Sequence, residues 1–288
     1  MKTKTARVVN IITLLALAAG AMLAVPAALD ILRDIGEYAE AYNEYAQLRD
    51  IRSASAAETD SNAAYMVAAG QPAGAGRAAN AASPMSDFFV PMSEFSDINP
   101  DFQGWLSIEG TEVDYPVARG IDNAEYMKKT FRGKNNAAGA IFMDYRCVDG
   151  FCGPVSVIYG HNMKDGTMFA SLKRCLDPDF IASRPVVTVA TANGEWLEYT
   201  IFGARQTDAW DEIYSLEYGN MPCDENILKS SGDENITTSP CDENIVTSHY
   251  DVLFNTVQAP YGAKRILILS TCVGGANGDA RLLVFASA

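Results

Sequence analysis

A run of short apolar segments, set too close together for crossover helices, limits the fold of this chain more than any other feature. "GWLSIEGTEVDYPV" reads as two strands around Glu109-Gly110, and "AGAIFMDY", "VSVIYG", "VVTVAT", "EWLEYTIFGARQ", "RILILS" and "RLLVFA" follow as further strand candidates. "TANGEW" places Asn193-Gly194 between two alternating runs, the signature of a tight hairpin. Helical signals are few. "SEFSDINPDF" predicts a short helix closed by Asn99-Pro100, and "MFASLKRCL" a helical piece after the strand ending in "VIYGHN". A doubly wound sheet needs a helix after nearly every strand, so the fold class predicted is all-β dominated, a closed or nearly closed β-barrel with a few short peripheral helices. With 48% hydrophobic residues the chain can fill such a barrel.

The N-terminus follows different rules. "MKTKTAR" carries Lys2, Lys4 and Arg7, and "VVNIITLLALAAGAMLAV" then runs without a charge. That length suits a bilayer span, which takes about 17–25 residues, and flanking basic residues stay cytoplasmic. The expected order is a cytoplasmic tail over 1–7, a transmembrane anchor over 8–27, and the rest on the extracellular face of the cell membrane. "AVPAA" leaves signal cleavage as the alternative. Ile31, Ile35, Tyr38, Tyr42 and Tyr45 recur at helical spacing, predicting a stalk helix with Gly36 as its weak point. An alanine-rich stretch with Gly70, Gly74 and Gly76 then reads as a tether, so 28–87 is stalk and linker and 88–288 the folded domain. The net charge of −14 argues against broad nucleic-acid binding, which needs Lys and Arg on phosphates.

Three tandem nonapeptides, "CDENILKSS", "GDENITTSP" and "CDENIVTSH", interrupt the strand pattern. A nine-residue step is two and a half helical turns, so the copies would not share a helix face. Residues 221–251 are therefore expected to form an acidic surface insert. Among the six cysteines, Cys147 could pair with Cys152 and Cys223 with Cys241, or most could be unpaired. The absence of a CxxC and the presence of only two histidines give no zinc pattern, and the metal expectation is none.

Candidate chemistry gathers at strand ends. Cys272 closes "LILSTC" at the lip of a glycine-rich loop, His161 follows "VIYG", and Arg281 opens the last strand. A thiol becomes a strong nucleophile beside a cation, an imidazole shuttles protons near neutral pH, and a guanidinium supports a developing oxyanion. Together they suit acyl transfer through a thioester. On residue type alone the trio also admits a structural reading: core filler for the Cys, a structural His, and an Arg281–Asp279 pair.

The ordered set "NPDFQGWLSIEGTEVDYPV", "DNAEYM", "AGAIFMDYR", "IYGHNMKDGTMFASL", "LSTC" and "GDARLLVF" resembles the sortases, and class B most closely, over nearly all of 88–288. The resemblance implies an eight-stranded sortase β-barrel on a membrane-anchored protein of a Gram-positive cell. It implies that Cys272 attacks the Thr carbonyl of an NPxTx-like C-terminal sorting signal. His161 then serves as acid for the leaving amine and base for the incoming one, and Arg281 holds the substrate and stabilises the oxyanion. Asn123, Met127 and Ser270 match positions of the signal groove. The implied partners are secreted proteins carrying the signal and an amine acceptor, either a peptidoglycan precursor or a pilin Lys. No metal or organic cofactor is required.

Two departures stand out. "VGGANG" follows Cys272 where relatives carry an aromatic or acidic residue, and the repeats occupy the connection before the Cys-bearing strand, with His249 beside them as the poorer catalytic candidate. The competing functions are a class B pilin polymerase, a secreted cysteine protease lacking any "QACRG" motif, and a non-catalytic adhesin built on the acidic repeats.

Overall fold

The computed structural model describes Gly20, Met22 and residues 24–54, 92–215, 260, 263–272 and 279–288. Most of the apolar segment, the alanine-rich tether, the three repeats and the loop after Cys272 lie outside the described residues. So do His249, Cys223 and Cys241.

The chain begins with helix α1 over 24–54 and a short α2, Ser93–Ile98. Eight strands follow: β1 Phe102–Ile108, β2 Asp114–Ala118, β3 Ile141–Met143, β4 Val155–Tyr159, β5 Val186–Thr191, β6 Trp196–Asp208, β7 Ile266–Cys272 and β8 Ala280–Ser287. They close in the order β1-β2-β3-β4-β7-β8-β6-β5. Closure leaves no unpaired edge to template aggregation. The expected barrel is therefore the one observed. The Asn193-Gly194 turn joins antiparallel β5 and β6, with Gly194 at φ +81°.

Two pairings are parallel, β2 with β3 and β4 with β7. Long β6 serves two neighbours, pairing its first half with β5 and its second with β8 across a bulge between Ile201 and Gly203. β7 and β8 are apolar at nearly every position because both of their faces are covered. Alternation is lost wherever a strand is enclosed on two sides. The "MFASLKRCL" piece forms a 3₁₀ helix, Ala170–Leu176, followed by the five-residue α3, Pro178–Ala182, capped by the Asp177 side chain on Asp179 N.

Helix α1 forms as expected and buries part of its stripe, Tyr45 fully and Tyr38 in part. Ile31, Ile35 and Tyr42 are exposed, while Ala41, Glu44, Tyr45 and Leu48 are buried against the barrel. Contact begins only at Glu37, and it is strongly polar. Glu44 accepts from Thr130 Oγ1 and Arg132 N at 3.0 Å each, and Glu37 accepts from Ala137 N at 3.0 Å. Arg52 pairs with Asp114 at 2.7 Å and lies over the Trp105 ring. The core thus includes residues upstream of 88. Gly36 does not interrupt the helix.

Cys147, Cys152, Cys175 and Cys272 are free thiols. The Cys147–Cys152 pairing is not formed: Cys147 is buried in the core, whereas Cys152 is exposed and its Sγ lies 3.4 Å from Glu195 Oε2.

Candidate active site

Parallel pairing of β4 with β7 sets Tyr159 opposite Ser270. Two residues further along each chain come His161 and Cys272, so the register brings both to the same level at one rim of the barrel. The antiparallel β7–β8 ladder then sets Cys272 directly opposite Arg281. The end of β4 and the consecutive strands β7 and β8, distant from it in sequence, therefore present His161, Cys272 and Arg281 at one rim. All three line one cavity of about 310 Å³, together with Asn123, Met127, Phe142, Arg146, Tyr159, Gly160, Ala209, Tyr214, Ser270 and Thr271. Cys272 is partly exposed, as a nucleophile meeting a peptide must be.

The imidazole is held from below. His161 Nε2 lies 2.8 Å from the Met127 carbonyl oxygen, which can only accept, so Nε2 donates. In the neutral ring this leaves Nδ1 as the nitrogen available to take a proton. Two glycines let the backbone approach closely enough. A Cβ at Gly160 would stand 2.5 Å from Ile141 Cδ1 and 2.7 Å from the Phe169 ring. Gly139, at φ +59°, has no room for one either: Met127 O and Tyr126 O would be 2.8 Å away and His161 Cδ2 3.1 Å.

The remaining described thiols are poor nucleophiles. Burial pushes Cys147 up to about 11 and Cys175 up to about 12. Cys152 is raised by burial and by the neighbouring Glu195 carboxylate. Among the described cysteines, Cys272 alone shares a cavity with an imidazole and a guanidinium.

A polar scaffold builds the groove wall. Asp144 is fully buried and accepts from Tyr159 OH at 2.8 Å, Asn123 Nδ2 at 3.0 Å, and Arg146 through Nε at 2.9 Å and Nη2 at 2.7 Å. Burial alone would raise this carboxyl, but the bonds from Arg146, Tyr159 and Asn123 together hold it below the usual carboxylate range. Arg146 continues to the Tyr214 carbonyl at 3.0 Å, fixing the 3₁₀ turn Glu212–Ser215 over the barrel face. Tyr214 stacks on Tyr159 and shares a 2.8 Å hydrogen bond with Ser270 Oγ. Burial pushes the Tyr214 phenol up, and it stays protonated.

All six residues singled out from the sequence thus meet at one cavity. Asn123 and Ser270 are already hydrogen-bonded to Asp144 and Tyr214, so they face the cavity as fixed parts of its wall. Sequence reasoning missed Asp144, Arg146, Tyr159 and Tyr214. An Asp-x-Arg pair immediately after the strand in "IFMDYR" was the available signal.

The sortase domain profile matches residues 106–288, more than half of the chain. Sortase B of Listeria monocytogenes is 36% identical over 126 residues, 44% of this chain and 50% of the relative. The chain spans about half the length of the curated relatives it matches. Among solved structures, Clostridium perfringens sortase B superposes with a TM-score of 0.50 at 27% identity, covering 68% of this chain and 97% of that one. A Bacillus anthracis protein described as similar to sortase B gives 0.50 at 26%, covering 68% and 81%. The chain belongs to the sortase family, and its likeness within that family runs to class B.

Proposed function

We propose that this protein is a class B cysteine transpeptidase that cleaves a C-terminal sorting signal and transfers the acyl portion to an amine. The observation that carries this reading is the alignment of Cys272, His161 and Arg281 at one cavity rim by two strand registers. Cys272 passes its thiol proton to His161 Nδ1, the resulting thiolate attacks the carbonyl carbon of the scissile peptide, and Arg281 stabilises the oxyanion. His161 protonates the departing amine, leaving a thioester on Cys272. An acceptor amine attacks that thioester, His161 takes its proton, and the thiolate is released. Atoms and charges balance without an outside reagent. Asn123, Met127 and Ser270 line the groove that receives the signal.

The substrate class is an NPxTx-like signal on secreted proteins, and the acceptor is a peptidoglycan-precursor amine. A pilin Lys would be handled by the same chemistry. Residues 8–27 anchor the chain, with 1–7 in the cytoplasm and 88–288 on the extracellular face. No helix among the described residues is long and apolar enough to cross a membrane. Support for the anchor comes from the sequence of 8–25 and from the first half of α1, which carries Val25, Leu29, Ile31, Leu32 and Ile35 exposed.

The test is to incubate the full chain with NPxTx-like peptides and several amines and read the products by mass. Ligated product should rise with amine concentration. Cys272→Ala and His161→Ala should each abolish it, and Arg281→Lys should cut it heavily because the planar fork is lost. Full turnover in Cys272→Ala, or product indifferent to amine, rejects the proposal.

A further inference from the structure

Tyr45 lies on α1, outside the strands that form the active-site cavity, yet two separate routes lead from it to His161. The first reaches the ring. Tyr45 OH donates to the Gly139 carbonyl at 2.8 Å and accepts from Phe131 N at 3.3 Å, tying together both sides of the loop over 128–139. That loop ends on Gly139, where even a Cβ would stand only 2.8 Å from Met127 O and 3.1 Å from His161 Cδ2, and Ala140 N bonds Tyr126 O at 3.0 Å. Met127 O is the acceptor for His161 Nε2. The second route reaches the backbone. Tyr45 packs edge-on against Tyr115, ring centroids 5.2 Å apart, and Tyr115 OH accepts from Met168 N at 2.9 Å. Met168 is a buried residue at φ +57° that bridges to Asn162, and the next residue, Phe169, donates its N–H to His161 O at 2.9 Å.

Both routes meet at one phenol that is 3% exposed. Burial, with the Glu44 carboxylate adding to it, keeps that phenol protonated and so a permanent donor. Packing alone does not require this arrangement, because a Phe would fill the same space. The hydroxyl is what joins the Gly139 and Phe131 backbones.

We propose that Tyr45 is a positioning residue for His161, so that the helix leading from the N-terminal apolar segment sets the orientation and tautomer of the imidazole. This rests on His161 being the acid and base of the proposed function. Its consequence is that α1 belongs to the catalytic apparatus, and displacement of the helix would disarm the imidazole without touching the cavity.

The experiment uses the full chain as Tyr45→Phe, with Leu48→Ala as a packing control on the same helix face. Leu48 is fully buried, so its truncation removes packing from the same helix face without deleting either hydroxyl bond. The chain has two histidines, so ¹⁵N-histidine labelling gives two imidazole patterns, and His249→Asn assigns them. In Tyr45→Phe the His161 pattern should move from protonated Nε2 toward a mixture of tautomers. Its kcat should fall about tenfold, with KM for the signal peptide held within about twofold, as expected for a misplaced acid–base group. Leu48→Ala should lower Tm more than Tyr45→Phe does, with the His161 pattern and kcat unchanged. If Tyr45→Phe does not accumulate folded, Tyr115→Phe, which removes the bond from Met168 N, should give a smaller shift in the same direction. A wild-type His161 pattern in Tyr45→Phe, or equal changes in Leu48→Ala, overturns the proposal. A moved pattern with unchanged kcat would uphold the positioning and reject His161 as the acid–base group.

Discussion

Replacing Asp144 by Asn tests the polar scaffold behind the groove with almost no change in volume. One carboxylate oxygen accepts from Arg146 N and Nε, and the other from Arg146 Nη2, Tyr159 OH and Asn123 Nδ2. An amide keeps one of these oxygens and turns an NH₂ toward donors at the other. Charge-assisted bonds contribute about 1.5–3 kcal/mol each, and removing one partner of a buried pair costs about 3–5 kcal/mol. Arg146 keeps 21% of its side-chain surface in water, which offsets part of that loss. The net expectation is about 2–4 kcal/mol of destabilisation. Urea unfolding followed by circular dichroism should show a lower midpoint at unchanged slope. Because Asn123 and Tyr159 share one oxygen that loses its charge, their common anchor weakens, and KM for the signal peptide should rise as well. A loss under about 0.5 kcal/mol, the range of ordinary surface substitutions, would refute the reasoning.

Two further outcomes follow from the same geometry. Gly139→Ala puts a Cβ 2.8 Å from two backbone oxygens at a positive φ. It should cost about 2–4 kcal/mol in urea unfolding and lower kcat, since those oxygens include the acceptor for His161 Nε2; wild-type stability would show that the loop yields freely. Asp144 and Asp211 both sit below the usual carboxylate range, Asp211 because bonds from Arg205 and Thr207 outweigh its burial. Their folded values lie below the unfolded ones, so their stabilisation is present above about pH 4 and is lost as pH falls through the folded values. Asp144→Asn should flatten that acid limb, and an unchanged pH dependence of unfolding would contradict the assignment.

The strands were legible because each is a short apolar or alternating run between turn residues, and Asn193-Gly194 marked one hairpin outright. Strand order was less so. No local signal announces that β4 runs parallel to β7, yet that pairing is what levels His161 with Cys272. The stripe on α1 marked a helix but not which of its members meet the barrel: Tyr38 and Tyr45 pack on it, whereas Ile31, Ile35 and Tyr42 stay exposed. Glu44 was invisible for a related reason, and Asp144 had only its near neighbour Arg146 to mark it. A buried carboxylate is defined by donors that arrive from segments distant in sequence, here Thr130 and Arg132 for one, Asn123 and Tyr159 for the other. The candidate trio drew notice because its members stand at strand ends, where side chains leave the core, but residue type left a structural reading open and only the family resemblance gave each member a role.

The account rests on Cys272 carrying the acyl group, and intact mass spectrometry of an acid-quenched reaction without amine tests this directly. The expected result is an adduct equal to the acyl fragment of the signal peptide, located on Cys272 and released by hydroxylamine. Turnover that persists in Cys272→Ala, or an adduct on Cys147, Cys152 or Cys175 instead, would contradict it.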